Sequence, residues 1–109
     1  MDRTKIINVI FTEVLRNGIM TSKGDIMSDD PIEDKVYTKK IIIKKDYKFK
    51  NGVDVIEVVS VSLTCENERM TDASIEKVRI NIKNRGNSWV NIFLNEAPDE
   101  LIEFIYKNI

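Results

Sequence analysis

Apolar residues follow two different periods along this chain, and the change of period divides it into elements. Near both ends they recur every three or four positions, which is typical of one face of an α-helix. Through the middle they alternate with polar residues, which is typical of strands with one buried face. The sequence therefore predicts a helix over residues 2–17, strands through the middle and a second helix beginning at Pro98.

The two central strands, which run from Val36 to Cys65, should form a hairpin around Lys50-Asn51-Gly52. A three-residue turn with glycine in the left-handed third position pairs apolar residues with apolar residues. A two-residue turn would instead place lysines beside valines, so we favour the three-residue turn. The expected pairs are Phe49–Val53, Tyr47–Val55, Ile43–Val59, Ile41–Val61 and the opposite-charge pair Lys45–Glu57.

A second hairpin should follow, with strands at residues 75–83 and 88–94. Its turn, Asn84-Arg85-Gly86, repeats the pattern of a glycine in third position. The expected pairs are Ile80–Val90 and Val78–Ile92.

These elements predict an α+β fold, a two-layer sandwich of order α-β-β-β-β-α. A four-stranded antiparallel sheet (two hairpins) would be flanked by the N- and C-terminal helices, and the C-terminal helix would cover either face. The length fits a single domain over residues 1–109. Residues 19–35 are acidic and rich in turn-forming residues, so we expect a mobile loop there.

Histidine is missing and cysteine occurs once. Catalysis by Ser-His-Asp or Cys-His groups is therefore excluded within one chain, and a zinc site is nearly excluded. Glu57 and Cys65 are the remaining candidates for chemistry. Lys45 is expected to pair with the glutamate, and no histidine can activate the cysteine, so we expect no enzyme activity, no cofactor and no metal.

The outward side of the second hairpin carries a tryptophan and a phenylalanine, which is an unusual position for large aromatic residues. If the C-terminal helix leaves this face open, it would bind a protein partner or a second copy of the chain. The residues expected in this interface are Trp89, Phe93, Ile42, Ile56 and Val58. If the helix crosses to this face, the same residues would be core.

Nucleic-acid binding is the alternative function. Lysines along one strand face, beside aromatic residues on a neighbouring strand, suit contacts to phosphates together with base stacking. The residues expected to contribute are Lys40, Lys44, Lys48, Lys77 and Arg79. The net charge of −1 gives no general basic field in support.

The sequence also bears on location and source. We expect no signal peptide and no membrane span, and a single cysteine is typical of a reducing compartment, so we expect the protein in the cytoplasm. The many isoleucine, lysine and asparagine residues are typical of an AT-rich bacterial or phage genome. That origin favours an inhibitor or adapter that acts by docking on a larger protein.

Overall fold

The computed structural model describes residues 1–23, 36–52, 55–84 and 89–109. Seven main elements follow one another along the chain: α1 (Arg3–Asn17), β1 (Ile19–Lys23), β2 (Val36–Lys48), β3 (Val55–Cys65), β4 (Val78–Asn84), β5 (Trp89–Phe93) and α2 (Asp99–Asn108). Single 3-10 turns at Ile75–Lys77 and Leu94–Glu96 adjoin β4 and β5. All five strands form one antiparallel sheet in the order β1-β2-β3-β4-β5, so every strand pairs with its neighbour in sequence.

The sheet has five strands, and the prediction of four was wrong. The additional strand, β1, pairs antiparallel with β2 from Ile19 opposite Lys40 to Lys23 opposite Val36. Its sequence has little apolar alternation, so only pairing with β2 distinguishes it from a loop. The mobile loop predicted at 19–35 was therefore wrong for residues 19–23, which form β1, and residues 24–35 lie outside the described part of the chain.

Helix α1 ends against strand β2. Gly18 donates its backbone N–H to Val14 O at 3.0 Å, and Lys39 Nζ reaches from β2 to Leu15 O at 2.6 Å. A Cβ on Gly18 would lie 2.5 Å from Val14 O and 3.1 Å from Lys39 Cβ. Glycine is therefore required here because the helix end and the strand approach so closely. Lys39 serves as a cap for the last carbonyls of α1.

Both helices pack on the same face of the sheet and on each other. Arg3 at the start of α1 pairs with Asp99 at the start of α2 at 2.6 Å and also donates to Asn95 O at 2.9 Å. The largest fully buried side chains come from both helices, from β3 and β4, and from the 3-10 turn after β5: Ile10, Val14, Ile56, Val59, Val61, Leu63, Val78, Ile80, Leu94, Leu101, Ile102 and Ile105. Within the described residues, no helix is long and apolar enough to cross a membrane.

The register of the central hairpin is confirmed only for the part distant from the turn. Ile43 lies opposite Val59 and Ile41 opposite Val61, as expected. Between Lys44 and Tyr47, β2 holds one residue more than β3, which is a β-bulge. The predicted pairs nearer the turn differ. Tyr47 faces Ile56 and not Val55, and Lys45 and Glu57 are not directly opposite each other in the ladder. The predicted pair Phe49–Val53 includes Val53, which lies outside the described residues.

A second irregularity lies in β3, where Glu57 is extra against β4, because Ile56 pairs with Asn84 and Val58 pairs with the adjacent Lys83. This extra residue moves Ile56 into the core. A one-residue change of register reverses the face on which every following side chain lies. Ile56 is 1% exposed, so its predicted place on the outward face was wrong. Its partner Tyr47 stacks on Phe104 of α2, with ring centroids 4.7 Å apart. Glu100 accepts hydrogen bonds from Tyr47 Oη at 2.6 Å and from Lys50 N at 3.0 Å, which anchors the hairpin tip to α2.

The second hairpin has a different register from the predicted one. Ile80 lies opposite Ile92 and Ile82 opposite Val90, a shift of two residues from the expected pairs. Because side chains alternate with a period of two, this shift keeps every side chain on its predicted face. The apolar pattern is satisfied by either register. The predicted turn residues Arg85 and Gly86 lie outside the described part of the chain.

The irregularity at Glu57 predicts a contrast between two isoleucines that strict alternation would place on one face. Ile56→Ala should lower the free energy of unfolding by about 2–5 kcal/mol because it leaves a core cavity. Ile42→Ala, at a position that is 55% exposed, should change it by less than about 0.5 kcal/mol. Urea denaturation of both variants measures the difference. Equal losses would show that the two side chains share one environment.

Candidate functional site

The sheet face opposite the helices has no cover among the described elements. We call it the open face. Its side chains come from all five strands and are Ile19, Thr21, Thr38, Lys40, Ile42, Lys44, Val58, Ser60, Ser62, Thr64, Arg79, Asn81, Lys83, Trp89, Asn91 and Phe93. The face is exposed at its edge strands, where Ile19 is 76% and Trp89 is 60% exposed. The C-terminal helix therefore does not bury the aromatic pair.

Two rows that cross the open face repeat one order of side chains. Each row has a cation on β2, a small side chain on β3, a cation on β4 and an aromatic ring on β5. The first row is Lys40, Ser62, Arg79 and Phe93, and the second is Lys44, Val58, Lys83 and Trp89. The row between them is Ile42, Ser60, Asn81 and Asn91.

Sheet geometry fixes the spacing of these groups. Neighbouring strands lie about 4.8 Å apart, so the two cations of one row have backbones separated by about 10 Å. The two rows begin four residues apart on β2, which corresponds to about 13 Å. The four cations therefore occupy the corners of a rectangle, and the two aromatic rings extend it along one edge.

Contacts within the face hold parts of this arrangement. The Arg79 guanidinium lies over the Phe93 ring, 4.9 Å from its centroid. Thr38 and Thr64 share a hydroxyl hydrogen bond of 2.8 Å. Ser60 and Ser62 are only 7% and 9% exposed because longer neighbours surround them. The accessible surface is thus formed mainly by the long cationic, aromatic and aliphatic side chains.

The charges in the two repeated rows of the open face are all positive. The whole chain has 17 basic and 18 acidic residues. The sixteen residues named above include four cations and no carboxylate, and two carboxylates, Glu66 and Glu76, line the same cavity as Arg79 and Phe93 at one end of the face. The face is therefore locally positive although the chain is slightly acidic, and such a local field attracts anions more than the net charge indicates.

The predicted apolar interface is only partly assembled. Trp89, Phe93 and Ile42 are exposed on the open face, and Val58 is half-buried between two lysines. Ile56 belongs to the core. Ile42 on β2 and Trp89 on β5 are separated by three strand spacings, about 14 Å. Polar and cationic side chains occupy the space between them, so the apolar residues do not form one continuous patch.

The predicted cationic set is mostly brought together. Lys40, Lys44 and Arg79 share the open face, and Lys48 is exposed beyond the bulge. Lys77 lies outside the sheet, in the 3-10 turn before β4. Lys83, which the predicted set omitted, completes the rectangle. Its alternation with Arg79 along the same strand was the signal that could have identified it.

Lys77 belongs to a structural loop. Its Nζ lies 2.7 Å from Asp72 Oδ2, and Asp72 also accepts hydrogen bonds from Glu66 N at 3.2 Å and Asn67 Nδ2 at 3.1 Å. The hydrogen bond from Lys77 is the main cause that lowers the pKa of Asp72. The same bond raises the pKa of Lys77. The ion pair organises the connection from β3 to β4 and leaves Lys77 less available to an external anion.

Cys65 and Glu57, the two residues considered for catalysis, lie in environments typical of residues with a structural role. Cys65 is 2% exposed, and burial is the main cause that raises the pKa of its thiol. Reactive cysteines have the opposite environment, accessible and with a lowered pKa. Glu57 is half-buried at the bulge. Among the residues that the structure describes, no group of three acidic or cysteine side chains is placed to hold a metal ion.

No family model, curated protein or solved structure matches this chain. The arrangement of side chains on the open face is therefore the basis on which a function is proposed.

The Asp72 loop predicts a pH-dependent loss of stability. The pKa of Asp72 is lower in the folded chain than in the unfolded chain, so its contribution is present above the ordinary aspartate value of about 3.9. That contribution disappears as the pH falls through the lower folded value. Asp72→Asn should therefore lower the melting temperature at neutral pH, and the difference from the native chain should vanish in acid.

Thermal unfolding followed by circular dichroism across this pH range measures the effect. Glu76→Gln is the matched control, since Glu76 is an exposed carboxylate nearby with no ion pair among the described residues. A difference for Asp72→Asn that does not change with pH would contradict the assignment.

Proposed function

We propose that this protein acts by binding single-stranded nucleic acid across its open face. The observation that carries the proposal is the repeated row of cation, small side chain, cation and aromatic ring. The arrangement offers two kinds of contact that a single strand needs, charge for its phosphates and flat rings for its bases.

The cations supply the phosphate contacts. Lys40, Lys44, Arg79 and Lys83 project from two strands separated by one strand of small side chains, so a chain of phosphates can lie between them. Release of counterions from the nucleic acid then drives association. Lys40, Lys44 and Lys83 have no carboxylate among the facing residues of their rows, whereas Glu66 and Glu76 share a cavity with Arg79 at one end of the face.

The aromatic rings supply the base contacts. Trp89 is 60% and Phe93 is 37% exposed, and each lies beside a cation of its own row. Stacking on such rings contributes about 1–3 kcal/mol per base and tolerates any base. Asn81 and Asn91 lie between the two rows and offer hydrogen bonds to base edges. Stacking on these rings requires bases that are free of a duplex, so we propose a single strand.

Fluorescence of the single tryptophan provides a direct test, because Trp89 lies in the proposed site. Titration with a short oligothymidylate should quench this fluorescence. For four phosphate contacts the slope of log K against log salt should be about −3, a loss of about 50-fold in affinity between about 50 and 200 mM salt. A matched duplex of the same length should bind more weakly.

Variants locate the binding surface. Lys44→Gln and Lys83→Gln should each weaken binding and reduce the salt slope by about 0.7. Lys5→Gln is the control, since Lys5 is an exposed lysine on α1, in the helical layer behind the sheet. Equal effects from all three substitutions, or an absence of quenching at low salt, would contradict the proposal.

A protein partner is the second candidate, favoured by the exposure of Ile19 and Ile42 on the same face. Aliphatic side chains contribute little to phosphate binding and more to an apolar contact. Such a partner would bind with little dependence on salt. Capture from a cell lysate that survives nuclease treatment, and that is lost with Trp89→Arg, would favour this second candidate over nucleic acid.

A further inference from the structure

Strand β5 is an edge strand without the usual protection. Within the described residues, β5 pairs only with β4, so the backbone groups along its other side have no strand partner. Natural edge strands are commonly guarded by charged residues, proline or bulges. The sequence Trp89-Val90-Asn91-Ile92-Phe93 has no charge and no proline, and its ladder with β4 is continuous. Val90 is also 41% exposed, so the strand is accessible on both of its faces.

The sequence of β5 is complementary to itself. A twofold axis through Asn91 would pair it antiparallel with a second copy. Trp89 would then lie opposite Phe93 of the second copy, and Val90 opposite Ile92. Aromatic residues would meet on the open face and aliphatic residues on the helical face, which are favourable cross-strand pairs. In this register every residue of the strand pairs with one of similar chemistry: aromatic with aromatic, aliphatic with aliphatic and Asn91 with Asn91.

The other edge strand, β1, lacks this property. The same operation centred on Thr21 would place Ile19 opposite Lys23 and Met20 opposite Ser22. Apolar residues would then face polar or charged ones. The complementarity is therefore a particular feature of β5, not a general result of folding a short strand on itself.

We infer that two copies of this chain associate through β5, centred on Asn91, to form one continuous ten-stranded sheet. In this register each residue lies opposite a residue that points to the same face of the sheet. Both helical layers therefore lie on one side of the joined sheet, and the two open faces form the other side. This inference is independent of nucleic-acid binding, since it rests on strand complementarity alone. If both hold, the joined face presents eight cations around a central group of four aromatic rings.

A cysteine at the twofold axis tests the register. Directly opposite residues on antiparallel strands have Cα atoms about 4.5–5.5 Å apart, within the span of a disulfide. Asn91→Cys should therefore form a covalent dimer under mild oxidation, measured on a non-reducing gel. Asn81→Cys is the matched control: the same residue type, in the same row, one strand further from the axis. Its two copies would lie about 14 Å apart and should not crosslink. The native Cys65 is buried and does not compete.

Charge exchange gives a second measurement on the non-covalent assembly. Asn91→Lys and Asn91→Asp should each shift the protein from dimer to monomer in sedimentation velocity, because like charges would meet at the axis. An equimolar mixture of the two variants should recover the dimer. Asn81→Lys, the matched control, should remain dimeric.

Three outcomes would overturn the inference. The native chain could stay monomeric at high concentration. Asn91→Cys could crosslink no faster than Asn81→Cys, or the mixture of the two charged variants could stay monomeric. Each measurement is made without nucleic acid. Failure here therefore leaves the fluorescence titration of Trp89 as a separate test of the proposed function.

Discussion

The packing of α1 against α2 on one side of the sheet is the constraint on which the molecule depends. Arg3 joins the two helix starts across nearly the whole chain length, and the end of α1 is fixed against β2 by Gly18 and Lys39. With both helices on one face, most apolar residues of β3 and β4 turn toward them. The opposite face then carries the other half of each alternating pattern, which brings the four cations and the two aromatic rings onto one surface.

Two irregularities near the hairpin tip, at residues 45–46 of β2 and at Glu57 of β3, divide the sheet into two zones. Away from the tip, alternation assigns each residue to the core or to the open face. Beyond Glu57 the assignment along β3 reverses, so Ile56 joins the core. Its partner Tyr47 keeps the face expected from alternation along β2 and reaches α2, where it contacts Glu100 and Phe104. These contacts attach the hairpin tip to the helical layer.

Sequence patterns predicted the features that depend on local chemistry. Gly52 has the left-handed conformation expected of it, with φ +76°, and both helices lie close to their predicted bounds. Features that depend on distant partners were not predicted. Strand β1 is recognised only by its pairing with β2. The extra residue at Glu57 becomes visible only in the pairing of β3 with β4. A register shift of two residues in the second hairpin leaves the apolar pattern unchanged. The candidate site shows the same contrast. Alternation alone placed Trp89, Phe93 and three of the cations on the open face. The burial of Ile56 and the position of Lys83 opposite Trp89 could be known only from the observed strand pairing.

The simple strand order has a consequence for how the chain folds. Each strand pairs with the one before it, so no pairing has to wait for a segment from elsewhere in the chain, and the sheet can grow by one hairpin at a time. The contact between the two helices is different, because it joins residues 96 positions apart. Closing so large a loop costs more conformational entropy than closing a hairpin turn. We therefore expect the helical layer to assemble late, on a sheet that has already formed, and the rate-limiting barrier to reflect the meeting of the two ends.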